Sequence, residues 1–338
     1  MLTNSDFNVP KESPIEINLR SSNLKDCKAG IRPYREQTFR LELESLETKT
    51  VIHNYGHGGA GVTLSWGCGN EVLNMAQENF TAGSSLAVLG GGVNGLTCAI
   101  LLKQAGFSVT VYSAHFSPNT TSDVAGAQWA PSYVCYGSTE DELRRFGKIL
   151  KDSYDKFKTL DAAFGVSERL NYVQEGNSSA FERIPEGILP PVENVTKLPF
   201  AGLKTGGRVF RTLLIDSPVY MREMMAWCRK IGVEFETHEF TCPESLDSIT
   251  QSEIVNCLGA GSSTVFPDPL LIPIKGQLAM VPAMEDADWL LSHANGYIFP
   301  RPSGTVVGGT EERGNADATA HQADCLGILK KNRKSFEA

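Results

Sequence analysis

The stretch SLAVLGGGVNGLTCAILLKQAGFSVTVYS, residues 85–113, decides the fold. It begins with a compact apolar segment typical of a buried strand, turns at three glycines and continues with the spacing of a helix. A second apolar segment closes it. Strand, helix and strand in this order form one βαβ unit, which requires a parallel sheet. The sequence therefore predicts an α/β fold with a Rossmann-like, doubly wound domain.

The turn of this unit has the sequence GGGVNG at 90–95. Its first glycine permits a tight turn, the third lets the backbone approach a pyrophosphate, and the last allows close contact between helix and strand. The helix N-terminus that follows attracts negative charge. An ordinary tight turn is the alternative, but the strand–turn–helix context favours a dinucleotide site. The acid expected about 20 residues further on is replaced by Ala114, which favours a flavin dinucleotide over a nicotinamide.

A second glycine junction, NYGHGGAGVT at 54–63, follows the strand pattern at 50–56 and precedes a helix pattern at 66–80. The dipole of that helix would suit the electron-rich pyrimidine edge of a reduced flavin. A loop that needs glycine only for its backbone shape is the alternative. His53 and His57 lie on a strand and a loop rather than on one helix face, so we predict no metal site.

The composition excludes several classes of protein. The chain has 338 residues with 41% hydrophobic and 21% charged side chains, which is typical of a globular protein of two domains. A net charge of −8 disfavours binding to nucleic acid. No segment is apolar enough to cross a membrane, and the first twenty residues do not resemble a secretory signal. Eight scattered cysteines without a C-x-x-C pair predict buried thiols in a reducing compartment.

The remaining patterns are less regular. REQTFRLELE at 35–44 alternates as a half-buried strand does, and residues 142–160 and 323–334 have helical spacing. Strand patterns at 277–283, 296–301 and 305–310 predict a second, sheet-rich domain. Arg32, in GIRP, could clamp a substrate carboxylate with its guanidinium, but an ordinary surface arginine fits the residues equally well.

Several long motifs together resemble the D-amino-acid oxidase family, which includes the D-aspartate oxidases. The resemblance covers nearly the whole chain and is carried by these segments: residues 86–131, LAVLGGGVNG through GAQWAP; 254–277, IVNCLGAGSSTVFPDPLLIPIKGQ; 296–315, GYIFPRPSGTVVGGTEERGN; 30–44, GIRPYREQTFRLELE; and 51–67, VIHNYGHGGAGVTLSWG.

The order of these motifs differs from that of the family. The family's closing segments stand first, at 30–69, ahead of the nucleotide strand, so we interpret the chain as circularly permuted. The family's last helix, here 69–80, would be joined to its first strand by the flexible residues 81–85. The new ends would fall in a surface stretch between the helix pattern at 323–334 and the strand near Arg32.

The resemblance implies an FAD-binding domain and a sheet-rich substrate domain in permuted order. Matching segments assigns 34–133 and 208–265 to the FAD-binding domain and 13–33, 134–207 and 266–338 to the substrate domain, with 1–12 as a loose terminus.

The resemblance also implies residue roles. The carboxylate clamp would be Arg32 with the hydroxyl of Tyr297. Four sets of residues would bind FAD. The pyrophosphate would contact Gly90, Gly92, Val93, Asn94 and Gly95, and a hydroxyl-rich run near the cofactor is formed by Thr120, Thr121 and Ser122. The turn beside the isoalloxazine is Gly126, Ala127 and Gln128, and the loop at the pyrimidine end contains Gly58, Gly59, Gly61, Val62 and Thr63.

Three positions depart from the family pattern. His293 replaces the lid tyrosine and is a further candidate for the active site, and Ala130 replaces a polar residue. Glu311 stands where the D-aspartate oxidases carry an arginine, which disfavours an acidic substrate side chain because like charges repel.

The implied activity is oxidation of a D-amino acid by hydride transfer to flavin N5, with O2 reduced to hydrogen peroxide. The alternatives are a related flavin oxidase of glycine, sarcosine or a cyclic imino acid, and a flavin-binding protein without activity. We expect a small-molecule substrate and no nucleic-acid or membrane partner. A homodimer is an assembly that the chain could form. We expect a cytoplasmic location, with the peroxisome as the alternative.

Overall fold

The computed structural model describes residues 14–177 and 180–337. The expected loose terminus, 1–12, lies outside the described residues. Among these residues, seven α-helices have the following bounds: α1 Gly61–Asn79, α2 Val93–Gln104, α3 Thr121–Val124, α4 Glu140–Lys158, α5 Ser217–Lys230, α6 Ser262–Val265 and α7 Gln322–Arg333. Short 3-10 helices lie at Ser21–Asn23, Ala162–Phe164, Ala180–Arg183, Pro243–Ser248, Gly259–Gly261 and Lys334–Phe336.

The β-strands form two sheets. Their bounds are β1 Asp26–Arg35, β2 Arg40–Ser45, β3 Thr50–Tyr55, β4 Ser85–Leu89, β5 Ser108–Ser113, β6 Val166–Gln174, β7 Glu193–Val195, β8 Gly207–Ile215, β9 Glu234–Thr237, β10 Glu253–Asn256, β11 Leu271–Val281, β12 Trp289–His293, β13 Gly296–Phe299, β14 Thr305–Gly308 and β15 Glu312–Arg313.

The six-stranded sheet has the order β2-β3-β10-β4-β5-β9. All neighbouring pairs are parallel except β2 with β3. The predicted βαβ unit is confirmed as β4–α2–β5. Residues 86–89 of β4 are buried on both faces, which explains why the sequence is continuously apolar there rather than alternating. Helix α1 packs between α2 and α4, where Trp66 and Phe157 belong to the main hydrophobic core.

The nine-stranded sheet has the order β1-β11-β14-β13-β12-β6-β8-β7, with β15 also paired to β11. It is antiparallel apart from the pair of β12 with β6. One face packs against α7 through Leu291, Val307 and Leu329. The mixed α/β fold with two sheets is thus as expected.

Two local predictions were wrong. Residues 35–44 are not one strand, because Gln37 takes a left-handed φ of 66° and separates β1 from β2. Helix α1 begins at Gly61, before the predicted start at 66. Strand β8, which lies in the segment 208–265 that the sequence assigns to the FAD-binding domain, pairs with β6 and β7 in the nine-stranded sheet. The two-domain division itself stays a prediction.

Candidate active site

One cavity of about 1930 Å³ is lined by residues of both sheets. Ser113 of β5 and Asn54 of β3 line it from the six-stranded sheet, and Arg32 of β1 and Tyr297 of β13 from the nine-stranded sheet. Pockets for drug-sized ligands have volumes of roughly 300–1000 Å³. The cavity therefore has room for a dinucleotide together with a small substrate.

The two glycine junctions meet at this cavity. Asn94 in the first turn of α2 lies beside Gly61, the first residue of α1, and both line the cavity wall. Gly90 has a φ of 111°, and a Cβ there would collide with the backbone of Cys257. A Cβ on Gly95 would overlap the Gly90 carbonyl oxygen. These positions therefore require glycine to form the turn.

The second glycine loop is attached to the nine-stranded sheet. The amide of Gly58 donates to the Pro33 carbonyl over 2.7 Å, and that of Gly59 donates to the Tyr133 carbonyl over 3.4 Å. Gly58 has a φ of 56°, and a Cβ there would overlap the Tyr133 carbonyl oxygen. The loop thus holds the N-terminus of α1 next to the strand that carries Arg32.

The hydroxyl-rich run packs against the first glycine turn. The amide of Val93 donates to Ser122 Oγ over 3.0 Å, and Thr120 Oγ1 donates to Asp123 Oδ2 over 2.7 Å within the capping box of α3. The side chain of Gln128 donates to Asn171 Oδ1 over 2.6 Å. Helix α3 is therefore joined to the first turn of α2, and the segment that follows it is joined to β6 of the nine-stranded sheet.

Arg32 and Tyr297 lie on one wall of the cavity. Arg32 Nη1 donates to the Thr310 carbonyl over 3.4 Å, and its guanidinium carbon lies 5.3 Å from the centre of the Tyr133 ring. A Cβ on Gly276 would overlap the guanidinium, so a glycine on the neighbouring strand makes room for it. Tyr297 stacks on Phe299 at 4.5 Å between ring centres.

Burial raises the pKa of Tyr297, although the positive charges of Arg32 and Arg301 oppose this effect. Its hydroxyl is therefore protonated at neutral pH and can donate a hydrogen bond. Beside it, a cationic guanidinium with a free edge is suited to two-pronged binding of a carboxylate. The pair can thus hold a substrate carboxylate at this wall.

Four histidines line the cavity, and burial keeps two of them, His57 and His293, in the neutral form. Burial lowers the pKa of His57 to about 3 and that of His293 to about 4. His293 is 2% exposed, and its Nδ1 is 2.8 Å from Ser335 Oγ. Neither imidazole therefore contributes a positive charge to the site at neutral pH.

All but one of the expected site residues line the same cavity. The exception is Gly95, which lies behind the Gly90 carbonyl and serves the packing of the turn. Buried side-chain atoms on the cavity wall without a hydrogen-bond partner among residues 14–177 and 180–337 include Asn54 Oδ1, Asn94 Oδ1 and His57 Nε2. Such atoms normally find a partner. A polar ligand such as FAD fits this wall, since it would supply those partners.

Sequence reasoning missed Tyr133 and Thr310, which contact Arg32. Their contacts come from distant parts of the chain, so no local signal could have revealed them. In the part of the chain that the structure describes, no group of three His, Cys, Asp or Glu residues is placed to hold a metal ion. Nor do the described helices include one with the length and apolarity to span a membrane.

Known proteins resemble the chain over most of its length. A D-amino-acid oxidase of Rubrobacter xylanophilus is 30% identical over 263 residues, which cover 72% of this chain and 74% of that protein. A D-aspartate oxidase of Homo sapiens is 27% identical over 73% of this chain and 74% of its own length.

Solved structures support the fold. An iminodiacetate oxidase of Chelativorans sp. BNC1 superimposes with a TM-score of 0.53 at 17% identity, over 74% of this chain and 78% of that one. A glycine oxidase of Geobacillus kaustophilus gives 0.50 at 19% identity, over 69% and 72% of the two chains.

The family model described as FAD dependent oxidoreductase matches residues 85–338, from the first residue of β4 onward. The expected family, the expected cofactor and the expectation of an enzyme are confirmed. With both glycine junctions facing one cavity, the chain belongs to the DAO family of FAD-dependent oxidoreductases.

Proposed function

We propose that this enzyme oxidises a D-amino acid to the corresponding imino acid, with O2 as the electron acceptor. The observation that carries the proposal is the position of Arg32 and Tyr297, which line the same cavity as the two glycine junctions. A carboxylate held by this pair would lie next to a flavin held by the helix N-termini. The Rubrobacter relative is named a D-amino-acid oxidase.

In this proposal the residues of the chain bind and orient. Arg32 pairs with the substrate carboxylate through two parallel hydrogen bonds, and the Tyr297 hydroxyl donates a third. The Thr310 carbonyl and the Tyr133 ring hold the guanidinium in place. When bound, FAD would supply the acceptor for the α-hydrogen and its electron pair, and O2 would be reduced to hydrogen peroxide with these electrons and the proton that the substrate ammonium releases. Catalysis then depends mostly on orientation rather than on a protein base.

We further propose the following division of the cofactor site. The turn at 90–95 and Thr120–Ser122 face the pyrophosphate and its surroundings, Gly126 to Gln128 lie beside the isoalloxazine, and the loop at 58–63 faces the pyrimidine edge. The positive ends of two helix dipoles favour both the pyrophosphate charge and the negative charge that develops on a reduced flavin. The six-stranded, mostly parallel sheet supports these turns, and all its strands lie within the segments 34–133 and 208–265 proposed as the FAD-binding domain.

Anaerobic titration of the purified protein with a panel of D-amino acids tests the activity. We expect the yellow flavin absorbance to bleach with at least one D-amino acid and with none of the L-enantiomers. Bleaching by glycine or sarcosine alone would instead indicate a related amine oxidase. A flavin that no amine bleaches would indicate a binding protein without oxidase activity. The homodimer and the cytoplasmic location stay predictions.

We also propose that the chain order is a circular permutation of the family's order. The matched region begins at Ser85, yet the preceding residues contribute β2, β3 and the second glycine junction to the site. The two ends of the described chain are neighbours: Ala201 donates to the Ile15 carbonyl over 2.9 Å, and a Cβ on Gly202 would overlap the Phe336 carbonyl. Close ends tolerate rejoining.

A rearranged chain tests this order. It would begin at Ser85 and carry residues 14–80 after residue 337, through a short Gly/Ser linker. If the proposal is right, it folds and binds FAD as the present chain does. A rearranged chain that is soluble but binds no FAD would contradict the proposal.

A further inference from the structure

Glu311 is an exposed carboxylate on the cavity wall for which no ion pair is formed within 4.0 Å among the described residues. Its chain neighbours are engaged. Glu312 accepts hydrogen bonds from Gln277 Nε2 and Asn315 Nδ2 over 3.3 and 2.8 Å, and Arg313 pairs with Glu36 at 2.5 Å. Glu311 itself accepts a hydrogen bond from the Tyr133 hydroxyl, but no cation among the described residues neutralises it, so its charge is available to a ligand in the cavity.

This carboxylate belongs to the same part of the wall as the carboxylate clamp. It follows Thr310, whose carbonyl accepts from Arg32. The Tyr133 ring lies over the Arg32 guanidinium, and burial together with the neighbouring Glu311 carboxylate raises the pKa of the Tyr133 hydroxyl. Tyr133 thus lies next to both Arg32 and Glu311, and the two charged residues do not form an ion pair with each other.

We infer that Glu311 selects the substrate by charge and favours a D-amino acid whose side chain ends in an amine or guanidinium. The inference rests on the proposed function, since it requires Arg32 to hold the α-carboxylate. A substrate with a cationic side chain would then satisfy an arginine at one end and a glutamate at the other. An acidic side chain would meet a like charge, and such a contact excludes a wrong partner.

Besides Arg32 and Glu311, five charged residues line the cavity: Glu182, Arg183, Glu239, Asp324 and Lys331. Glu182 pairs with Arg208 at 3.0 Å, and Glu239 is exposed next to the strand β9 of the six-stranded sheet. Arg183 is exposed and donates to the Val134 carbonyl over 3.4 Å, so it could attract an acidic side chain instead. Asp324 accepts a hydrogen bond from Gln277 Nε2 over 2.7 Å, and Lys331 lies near His293. Arg183 is therefore the matched control for Glu311.

Three carboxylic acids of equal chain length test the inference without turnover: ε-aminocaproate, caproate and adipate. They lack an α-amino group and differ only in the charge at the far end. Binding to the FAD-loaded enzyme is measured as the perturbation of the flavin absorbance. We expect ε-aminocaproate to bind more tightly than caproate and adipate least tightly. Glu311→Gln should weaken ε-aminocaproate about tenfold, which corresponds to one charge pair, and leave caproate unchanged. Arg183→Gln should not change this order.

The kcat/KM values of D-lysine, D-leucine and D-glutamate give a second readout on the unmodified enzyme, so the test does not depend on the folding of a variant. Tighter binding of adipate than of ε-aminocaproate, or an equal effect of Glu311→Gln on all three acids, would overturn the inference. So would a preference for D-glutamate that Arg183→Gln removes. If D-leucine still bleaches the flavin when one of these results is found, the proposed oxidase activity holds and only the inference on Glu311 fails. If no D-amino acid bleaches the flavin, the oxidase proposal fails and this inference fails with it.

Discussion

The amide nitrogen of Asn94 lies 3.4 Å from the position that a Cβ on Gly61 would occupy. This contact joins the first turn of α2 to the first residue of α1, although the two helices follow different glycine loops. Both helix N-termini therefore face one cavity, where their partial positive charges favour a negatively charged ligand. The absence of side chains at the turns lets a ligand approach both backbones.

Gly95→Ala should abolish retention of FAD. The added methyl group would overlap the Gly90 carbonyl oxygen, so the turn must open to admit it. We expect a loss of stability of about 1–3 kcal/mol, as overpacking usually gives, and a purified protein with little flavin absorbance. Gly147→Ala in α4 is the control, because this glycine does not line the cavity and its added methyl group would meet only the Pro185 side chain, at 3.2 Å. Equal flavin content in the two variants would show that the turn has another role.

Arg32→Leu should weaken the binding of substrate and leave bound FAD in place. The variant removes a charge-assisted, two-pronged interaction, so KM should rise about a hundredfold. Arg211→Leu, which removes an exposed arginine paired with Glu168 at 3.2 Å, is the matched control. Steady-state kinetics and the flavin-to-protein absorbance ratio check this expectation. An unchanged KM in the Arg32 variant would refute the carboxylate clamp.

Tyr297→Phe should raise KM by about tenfold, the effect of losing one hydrogen bond to a charged group. The ring remains stacked on Phe299, so the wall keeps its shape and the flavin is retained. Because burial raises the pKa of Tyr297, its hydroxyl stays protonated through the neutral range, and the ratio of KM values should not vary between pH 7 and 9. A ratio that falls with pH in that range would contradict a protonated donor.

Local patterns were enough to predict the βαβ unit and both glycine junctions, since each is a continuous stretch whose turn needs glycine. Strands β8 and β12 were missed for a physical reason. Buried and exposed positions do not alternate along these strands, so their sequences lack the period of two that marks a strand with one solvent-exposed face.

The role of Arg32 could not be decided from its own neighbours in the sequence. The space for its guanidinium comes from Gly276 on β11, and its orientation comes from Tyr133 and Thr310. Tyr133 itself has a left-handed φ of 50°, which few side chains adopt and no pattern predicts. Contacts between distant segments therefore build the substrate wall, whereas local turns build the cofactor wall.

The acid sensitivity of the fold should depend on His293. Burial lowers its pKa to about 4 from the usual 6.5, so the unfolded chain binds a proton that the folded chain does not bind between these pH values. Stability is therefore complete above pH 6.5 and falls as the pH drops toward 4. For this one residue, the free energy of unfolding should decrease by about 2 kcal/mol between pH 7.5 and 5.

Urea unfolding of the wild type and of His293→Gln, at several pH values and a fixed excess of FAD, measures this contribution. The variant should lose less stability on acidification than the wild type, by the amount just given. His115→Gln, which removes an exposed imidazole, is the control for the substitution itself. His57 should add to the wild-type slope in the same sense, because burial lowers its pKa to about 3. Parallel stability curves for wild type and His293→Gln would show that residue 293 binds a proton equally well in the folded and the unfolded chain. That result would contradict the lowering of its pKa by burial.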